Sequence, residues 1–336
     1  MIERAKDLDS FNAELQLKPT TQNDSTTSEL WSLQSDEVAR RIRPYKRGEM
    51  PDRAEIITGF IDVQQEFLSW TIMAFDLRGR GHVMDYGTFP EQPTRYYSKR
   101  AIANTLQDEF GEMPVADLIT AGLDVLTEDL LGREFIRDQR VFSIDKLAID
   151  NRFALVANDI RSFVLESPLR SRLVPQLGHF IGANTRAWQK LSGGKVRRTR
   201  GVNVAYRDPP KGQRGVAELH VDTNYWKCQL AIGLSVPLSS QTAITLYEDT
   251  QENHLLLGEH CEAEDPFFEE NKNGDKTIVW RARNRPSENE HWDEMTGCMA
   301  VASTLGVFAK SKKTNTGQSG GKKKRGSRAY NMNLNL

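Results

Sequence analysis

Residues 55–89 read EIITGFIDVQQEFLSWTIMAFDLRGRGHVMDYGTF. Ile56–Val63 is rich in β-branched residues. Phe67–Leu77 alternates and carries aromatic residues, and His82–Phe89 follows the tight turn Arg78-Gly79-Arg80-Gly81. Runs of this kind, separated by short turn signals, predict three consecutive strands of an antiparallel meander. Asp62 breaks the pattern, standing between Ile61 and Val63 in the first strand. An ionised carboxylate within a sheet is costly unless a positive partner meets it, and a divalent cation is one such partner. The competing reading is an Asp at a strand end, hydrogen-bonded to a neighbouring loop.

Upstream, residues 1–54 are polar and mixed. TTQNDSTTSE (20–29) cannot drive a core, and residues 28–53 read as a short helix followed by a linker. Downstream, Thr94–Phe110 has helical spacing, and Met113–Leu131 is a stronger amphipathic helix with Pro114 near its start. Ser143–Asn151 predicts a buried strand, Phe153–Leu165 a helix, and Leu173–Phe180 a strand that Pro175 confines to an edge or a strand start. Strands are expected at Val202–Arg207, Val216–Val221, Ala243–Tyr247 and Lys276–Arg281. Helices are expected at Thr223–Leu234, Gln251–Glu264 and Glu288–Val307, with an acidic loop EDPFFEENKNGD (264–275). A meander followed by alternating helices and strands argues for a mixed α/β sheet with helices on both faces.

The chain of 336 residues, 38% of them hydrophobic, is long enough for one large domain or two modest ones. Its net charge of -1 hides an asymmetry. Lys310, Lys312, Lys313, Lys322, Lys323, Lys324, Arg325 and Arg328 stand in a tail without an acidic residue, so the rest of the chain is acidic. This tail (308–336) and the loop LSGGKVRRTRG (191–201) suit contact with phosphate backbones; the tail also reads as a disordered, solvated end. Three separated cysteines fit neither a disulfide framework nor a zinc motif, which points to a reducing compartment. With no signal peptide and no apolar run of roughly 18 residues, a soluble, intracellular protein is expected and no membrane partner.

Three carboxylates stand at comparable places: Asp62 on the first strand, Asp150 at the end of the strand LAID, and Asp293 near the start of the last helix. Two strand carboxylates with a third on a helix packed over them can hold two divalent metals about 4 Å apart. Hard oxygen donors suit Mg²⁺ or Mn²⁺. Strand-end and helix-capping roles are the alternative for each residue taken alone. Asp222 in HVDTNYWK is placed to cap a helix and could instead be a metal ligand; Lys227 could orient a phosphate or water, or be a solvated surface lysine. The six histidines show no HxxxH or HxH spacing. SGGKVRR (192–198) and GQSGGKKK (317–324) do not complete GxxxxGK[ST], so ATP hydrolysis by this chain alone is not expected.

Taken in order, ITGFIDVQ, MAFDLRGRGHVMDYGTF, KLAIDNRFALVANDIRSFV, VDTNYWKCQLAIGL and WRARNRPSENEHWDEMTGCMAVAS resemble the nuclease portion of phage terminase large subunits of the lambda GpA-like type. The resemblance covers roughly residues 50–306. It implies an RNase H-like fold over residues 55–307 and a metal-dependent endonuclease that cuts concatemeric double-stranded DNA during genome packaging in the host cytoplasm. Asp62, Asp150 and Asp293 would be metal carboxylates and Lys227 an assisting lysine, with Asp222 beside it. The portal and the small terminase subunit would be partners. Residues 1–54 would be the remnant of an upstream packaging ATPase. The chain departs from the family pattern at IDNRF, which lacks the glycine of an IDxGG turn, and at DEMTGC, where Glu290 or Glu294 could replace Asp293. Two alternatives remain: another RNase H-like DNA enzyme such as a transposase or junction resolvase, and a non-catalytic DNA- or portal-docking domain.

Overall fold

Eight successive buried residues make Leu68–Phe75 the strand on which the architecture turns, because burial on both faces requires a helical layer on each side. This strand, β2, pairs antiparallel with β1 (Ile56–Val63) and with β3 (Gly81–Phe89), forming the expected meander. The β2–β3 turn forms because Asp76 Oδ1 accepts from the amides of Arg78 (2.8 Å) and Arg80 (2.9 Å), while Gly79 takes a φ of +99°. The protein is described by a computed structural model, which covers residues 32–185, 196–198, 201–209, 211–212, 214–283 and 288–308.

Among the described residues the main sheet has nine strands in the order β11-β3-β2-β1-β6-β7-β10-β9-β8. Here β6 is Lys146–Asp150, β7 Leu173–His179, β8 Val196–Arg198, β9 Val204–Arg207, β10 Glu218–Asp222 and β11 Ile244–Leu246. Strands β1, β6, β7 and β10 run parallel, and β9 and β11 close the pattern antiparallel to β10 and parallel to β3. The fold is thus RNase H-like: a three-stranded antiparallel meander joined to parallel strands, with helices on both faces.

Of the helices, α1 is Ser35–Ala39, α2 Leu106–Phe110, α3 Val115–Gly132, α4 Ala157–Glu166, α5 Thr223–Ser235, α6 Leu255–Glu262 and α7 Glu290–Thr304. Helix α7 lies on β1 and β2, where the Thr58 hydroxyl donates to the Cys298 carbonyl (2.9 Å), and it packs against α5 and α6. Helix α3 covers the opposite face of β2. Its Gly122 allows close approach, since a Cβ there would stand 2.7 Å from Leu106 and 3.2 Å from Leu68.

Several elements depart from the sequence expectation. Thr94–Phe110 is not one helix but a 3-10 turn (Lys99–Ala101) followed by α2, because Gln92 Oε1 takes the amides of Ala103 (2.9 Å) and Asn104 (3.2 Å) and Thr105 then caps α2. Pro175 lies inside β7, an interior strand. It is accommodated because pairing with β10 begins one residue later, at Gln176. The acidic segment expected as a loop is a strand, β12 (Glu264–Glu270), paired antiparallel with β13 (Lys276–Ala282); Glu269 meets Arg281 across the ladder at 3.3 Å. A small hairpin, β4 (Phe135–Arg137) and β5 (Arg140–Phe142), was not signalled. Its turn places Asp138 and Gln139 at positive φ without the Asn-Gly or Asp-Gly that usually marks such a turn.

Residues 32–54, expected as a linker, are built into the fold. Arg41 is buried and donates to the carbonyls of Ile244 (2.8 Å), Gly233 (3.0 Å) and Val236 (2.9 Å). The Tyr45 hydroxyl donates to the Val83 carbonyl at 3.0 Å, and Leu33, Val38, Met50 and Ala54 join the core. The expected ATPase remnant upstream of residue 32, most of the basic loop 191–201 and the tail from residue 309 lie outside the described residues. No helix among the described residues is long and apolar enough to cross a membrane.

Candidate metal centre

Parallel pairing of β1 with β6 brings the first two carboxylates together. The register runs Thr58↔Lys146, Gly59↔Leu147, Phe60↔Ala148, Ile61↔Ile149, so Asp62 and Asp150 occupy the next positions at the carboxyl ends of adjacent strands. Paired residues of parallel strands point to one face, and for Thr58 and its alternate neighbours that face carries α7. Gly59 allows the close approach: a Cβ there would stand 2.7 Å from Leu147.

Asp62 accepts from the side-chain amide of Gln64 and has no ion-pair partner among the described residues. Burial holds its carboxyl well above the usual carboxylate range, and the neighbouring Asp150, Glu294, Asp293 and Glu290 push in the same direction. Burial, and then Asp293, raises Asp150 to about 7. The sequence-distant acids of α7 therefore surround the strand pair. Their roles differ. Glu294 is fully buried: its Oε2 accepts from the Thr71 hydroxyl (2.5 Å) and shares a hydrogen bond with His291 Nδ1 (2.8 Å), and burial raises it to about 8. Glu290 accepts from Lys99 Nζ at 3.0 Å. Asp293 is 43% exposed and pairs with Lys227 Nζ at 2.8 Å.

Lys227 is buried and not a surface lysine. Besides Asp293 it meets both carboxylate oxygens of Glu264 at 2.8 Å. Burial acts to lower its pKa, but Asp293 and Glu264 outweigh burial and the net shift is upward. Asn289 ties the group, its Nδ2 donating to Glu264 Oε1 (2.7 Å) and Asp293 Oδ2 (3.2 Å).

Asp222 is set apart from the Asp62–Asp150 pair. It caps α5, accepting from the Tyr225 amide at 3.1 Å, and burial raises it to about 7. Its pairing with His179 puts it three residues beyond the level of Gln176, which is the partner of Asp150. Asp85, a buried acid of β3, is structural: Arg47 Nε (2.5 Å) and Arg133 Nη1 (2.8 Å) pair with it.

Among the described residues no group of three His, Cys, Asp or Glu side chains stands close enough together to hold a metal ion as placed; the carboxylates brought side by side are those of Asp62 and Asp150. The donor types still fit a divalent cation of the Mg²⁺ or Mn²⁺ type: Asp62 is a half-buried hard-oxygen donor near other carboxylates, with no basic side chain paired to it among the described residues. Glu264 and Asn289 escaped the sequence reading, since Glu264 looked like the end of an acidic helix and only the fold brings it to Lys227.

The titrations have a consequence for the metal-free protein. Asp150, Asp222 and Glu294, at about 7, 7 and 8, lie above their unfolded values, so stability falls as pH rises through that interval. His82, His260 and His291, held by burial at about 3, 3 and 4, act oppositely below their unfolded value of 6.5. Thermal stability in EDTA is expected to rise by a few kcal/mol from about pH 8 to about pH 6.5 and then level off. Calorimetry across that range checks it; a flat Tm above pH 6.5 contradicts it.

Fold and cluster together define an RNase H-like domain with an acidic site at the carboxyl ends of its two central strands. Residues 22–133 match the family model of the terminase large subunit gpA endonuclease domain, which bears out the resemblance over that third of the chain. The matched segment holds the meander and Asp62 and ends before Asp150, Lys227 and Asp293. Among solved structures the chain is similar to a mutant nuclease domain of the large terminase subunit gp2 of bacterial virus Sf6, with manganese. The identity is 10% and the TM-score 0.39, over 79% of this chain and 96% of that one. Comparison with curated proteins gives no match.

Proposed function

We propose that this chain is a Mg²⁺- or Mn²⁺-dependent endonuclease that hydrolyses phosphodiester bonds of double-stranded DNA, as the nuclease part of a phage DNA-packaging terminase. The observation that carries this reading is the position of Asp62. It is half-buried at the end of β1, beside Asp150 in register, under an α7 that presents Asp293 and Glu294, and it has no cationic partner among the described residues.

In this reading Asp62 and Asp150 hold the cations from the sheet and Asp293 completes the set from α7. Cations held there would lower the pKa of a bound water and supply a stabilising charge for the leaving oxygen. Asn289 steadies the Asp293 carboxylate. Lys227 keeps a positive charge at the edge of the site, where it would balance an incoming phosphate. Double-stranded DNA is the substrate, contacts to it coming from basic segments that act without sequence preference. Concatemer cutting in the host cytoplasm, with portal and small subunit as partners, belongs to the same proposal and is supported by the family match.

Incubation of supercoiled plasmid with the purified chain and Mn²⁺ is expected to give nicked and linear products, with none in EDTA. Absence of Mn²⁺ uptake in calorimetry, together with intact plasmid, would favour the non-catalytic docking module. Cutting confined to branched or transposon-end substrates would favour a resolvase or transposase.

A further inference from the structure

Lys227 is a single buried cation shared by two carboxylates from different elements. Its Nζ stands 2.8 Å from both oxygens of Glu264, at the head of β12, and 2.8 Å from Asp293 Oδ1 on α7. Glu264 and Lys227 are each 10% exposed, whereas Asp293 is 43% exposed and faces the carboxylates of the sheet. Glu264 is fixed independently of the lysine: it pairs with Ala282 in the β12–β13 ladder and accepts from Asn289 Nδ2 at 2.7 Å.

The sharing has an electrostatic consequence. A divalent cation at Asp293 would compete for a carboxylate that Lys227 already holds. A buried ammonium stripped of its partner is strongly unfavoured. With Glu264 in place, Lys227 keeps a two-oxygen partner when Asp293 turns to a metal. Without Glu264, the lysine would have Asp293 alone and would compete with the metal for it.

We propose that Glu264 is a positioning residue of the site: it retains Lys227 beside Asp293 and so leaves the Asp293 carboxylate available to a divalent cation. This rests on the metal-dependent reading above and assigns to it a residue outside the three aspartates. Glu264 acts through Lys227 and does not itself touch metal or substrate.

The test is Mn²⁺ binding by titration calorimetry to the full chain, with wild type, Glu264→Gln, Lys227→Met and the double variant, each first checked for an intact fold by circular dichroism. Glu264→Gln is expected to weaken Mn²⁺ binding about tenfold, and the same substitution in the Lys227→Met background to change it by less than about twofold. Equal weakening in both backgrounds would mean that Glu264 acts by its own charge on the metal, and no weakening in either would mean that it has no part in the site; each overturns the proposal. Should Glu264→Gln fail to fold, Glu264→Asp, which keeps the charge but shortens its reach, is expected to weaken binding by about threefold, and an unchanged affinity there overturns the proposal equally. A folded wild type that takes up no Mn²⁺ overturns the metal-dependent reading itself, a result distinct from a wild type that binds while its variants bind equally well.

Discussion

Replacing Asp62 with alanine is expected to abolish Mn²⁺-dependent plasmid cleavage, a fall of more than about a thousandfold, while the metal-free protein stays folded and melts no lower than wild type. The two halves have one physical origin. Asp62 sits half-buried at the end of β1, where desolvation and then Asp150, Glu294, Asp293 and Glu290 all raise its pKa, and its hydrogen-bond partner is the neutral Gln64. A carboxylate so placed opposes folding when ionised, so its removal costs the fold nothing beyond local packing. The same repulsion is what a divalent cation relieves, so its loss falls on metal binding. Plasmid nicking and thermal melting of wild type and variant, with and without Mn²⁺, measure both. Full activity in Asp62→Ala would falsify the metal assignment, and a collapse of Tm would identify Asp62 as structural.

The second large effect concerns the helix that brings the remaining carboxylates. Gly297 is buried in α7 directly over β1, and a Cβ at this position would stand 2.1 Å from Phe60 Cδ2 and 2.4 Å from its Cε2. Phe60 is itself only 4% exposed, two residues before Asp62, and has little room to yield. Gly297→Val is therefore expected to lower stability by about 3 kcal/mol and to lift α7 from the sheet, even though valine has a slightly better helix propensity than glycine. Because Asp293 and Glu294 ride on the preceding turn, Mn²⁺ affinity should fall in whatever fraction remains folded. Chemical denaturation and calorimetry check the pair of effects. Wild-type stability in Gly297→Val would mean that the α7–β1 contact is looser than the packing described.

The two substitutions mark how far the chain could be read without its fold. The β1–β3 meander was legible because its residues are β-branched or aromatic and its turn carries glycines, signals that act over a few neighbours. Asp62 was conspicuous for the same local reason, a charge in an apolar strand. Helix α3 and strand β6 were found from periodicity with ends displaced by a few residues, as expected where fraying and capping decide boundaries. The segments read wrongly were those where a local signal was overridden. Gln92 diverts two amides from the helix expected across Thr94–Phe110. The acidic EDPFFEE run, repulsive within itself, becomes a strand because β13 offers Lys276 and Arg281 opposite its acids.

What the sequence alone determined is the set of residue types: two strand aspartates, an acidic last helix, and no histidine or cysteine at metal-binding spacing. Only the tertiary structure decided which of these meet. Parallel pairing of β1 with β6, strands separated by more than eighty residues, sets Asp62 beside Asp150. Packing of α7 puts Glu294 under Thr71 and leaves Asp293 to Lys227, and it draws in Glu264, which no spacing connects to either. Asp222 was legible as a helix cap and is held as one. The physical reason for the division is range. Strand and turn propensities act over a few residues and are written in local composition. The pKa of a buried carboxylate, and the partner of a buried lysine, depend on groups a few ångströms away in space that can lie anywhere along the chain.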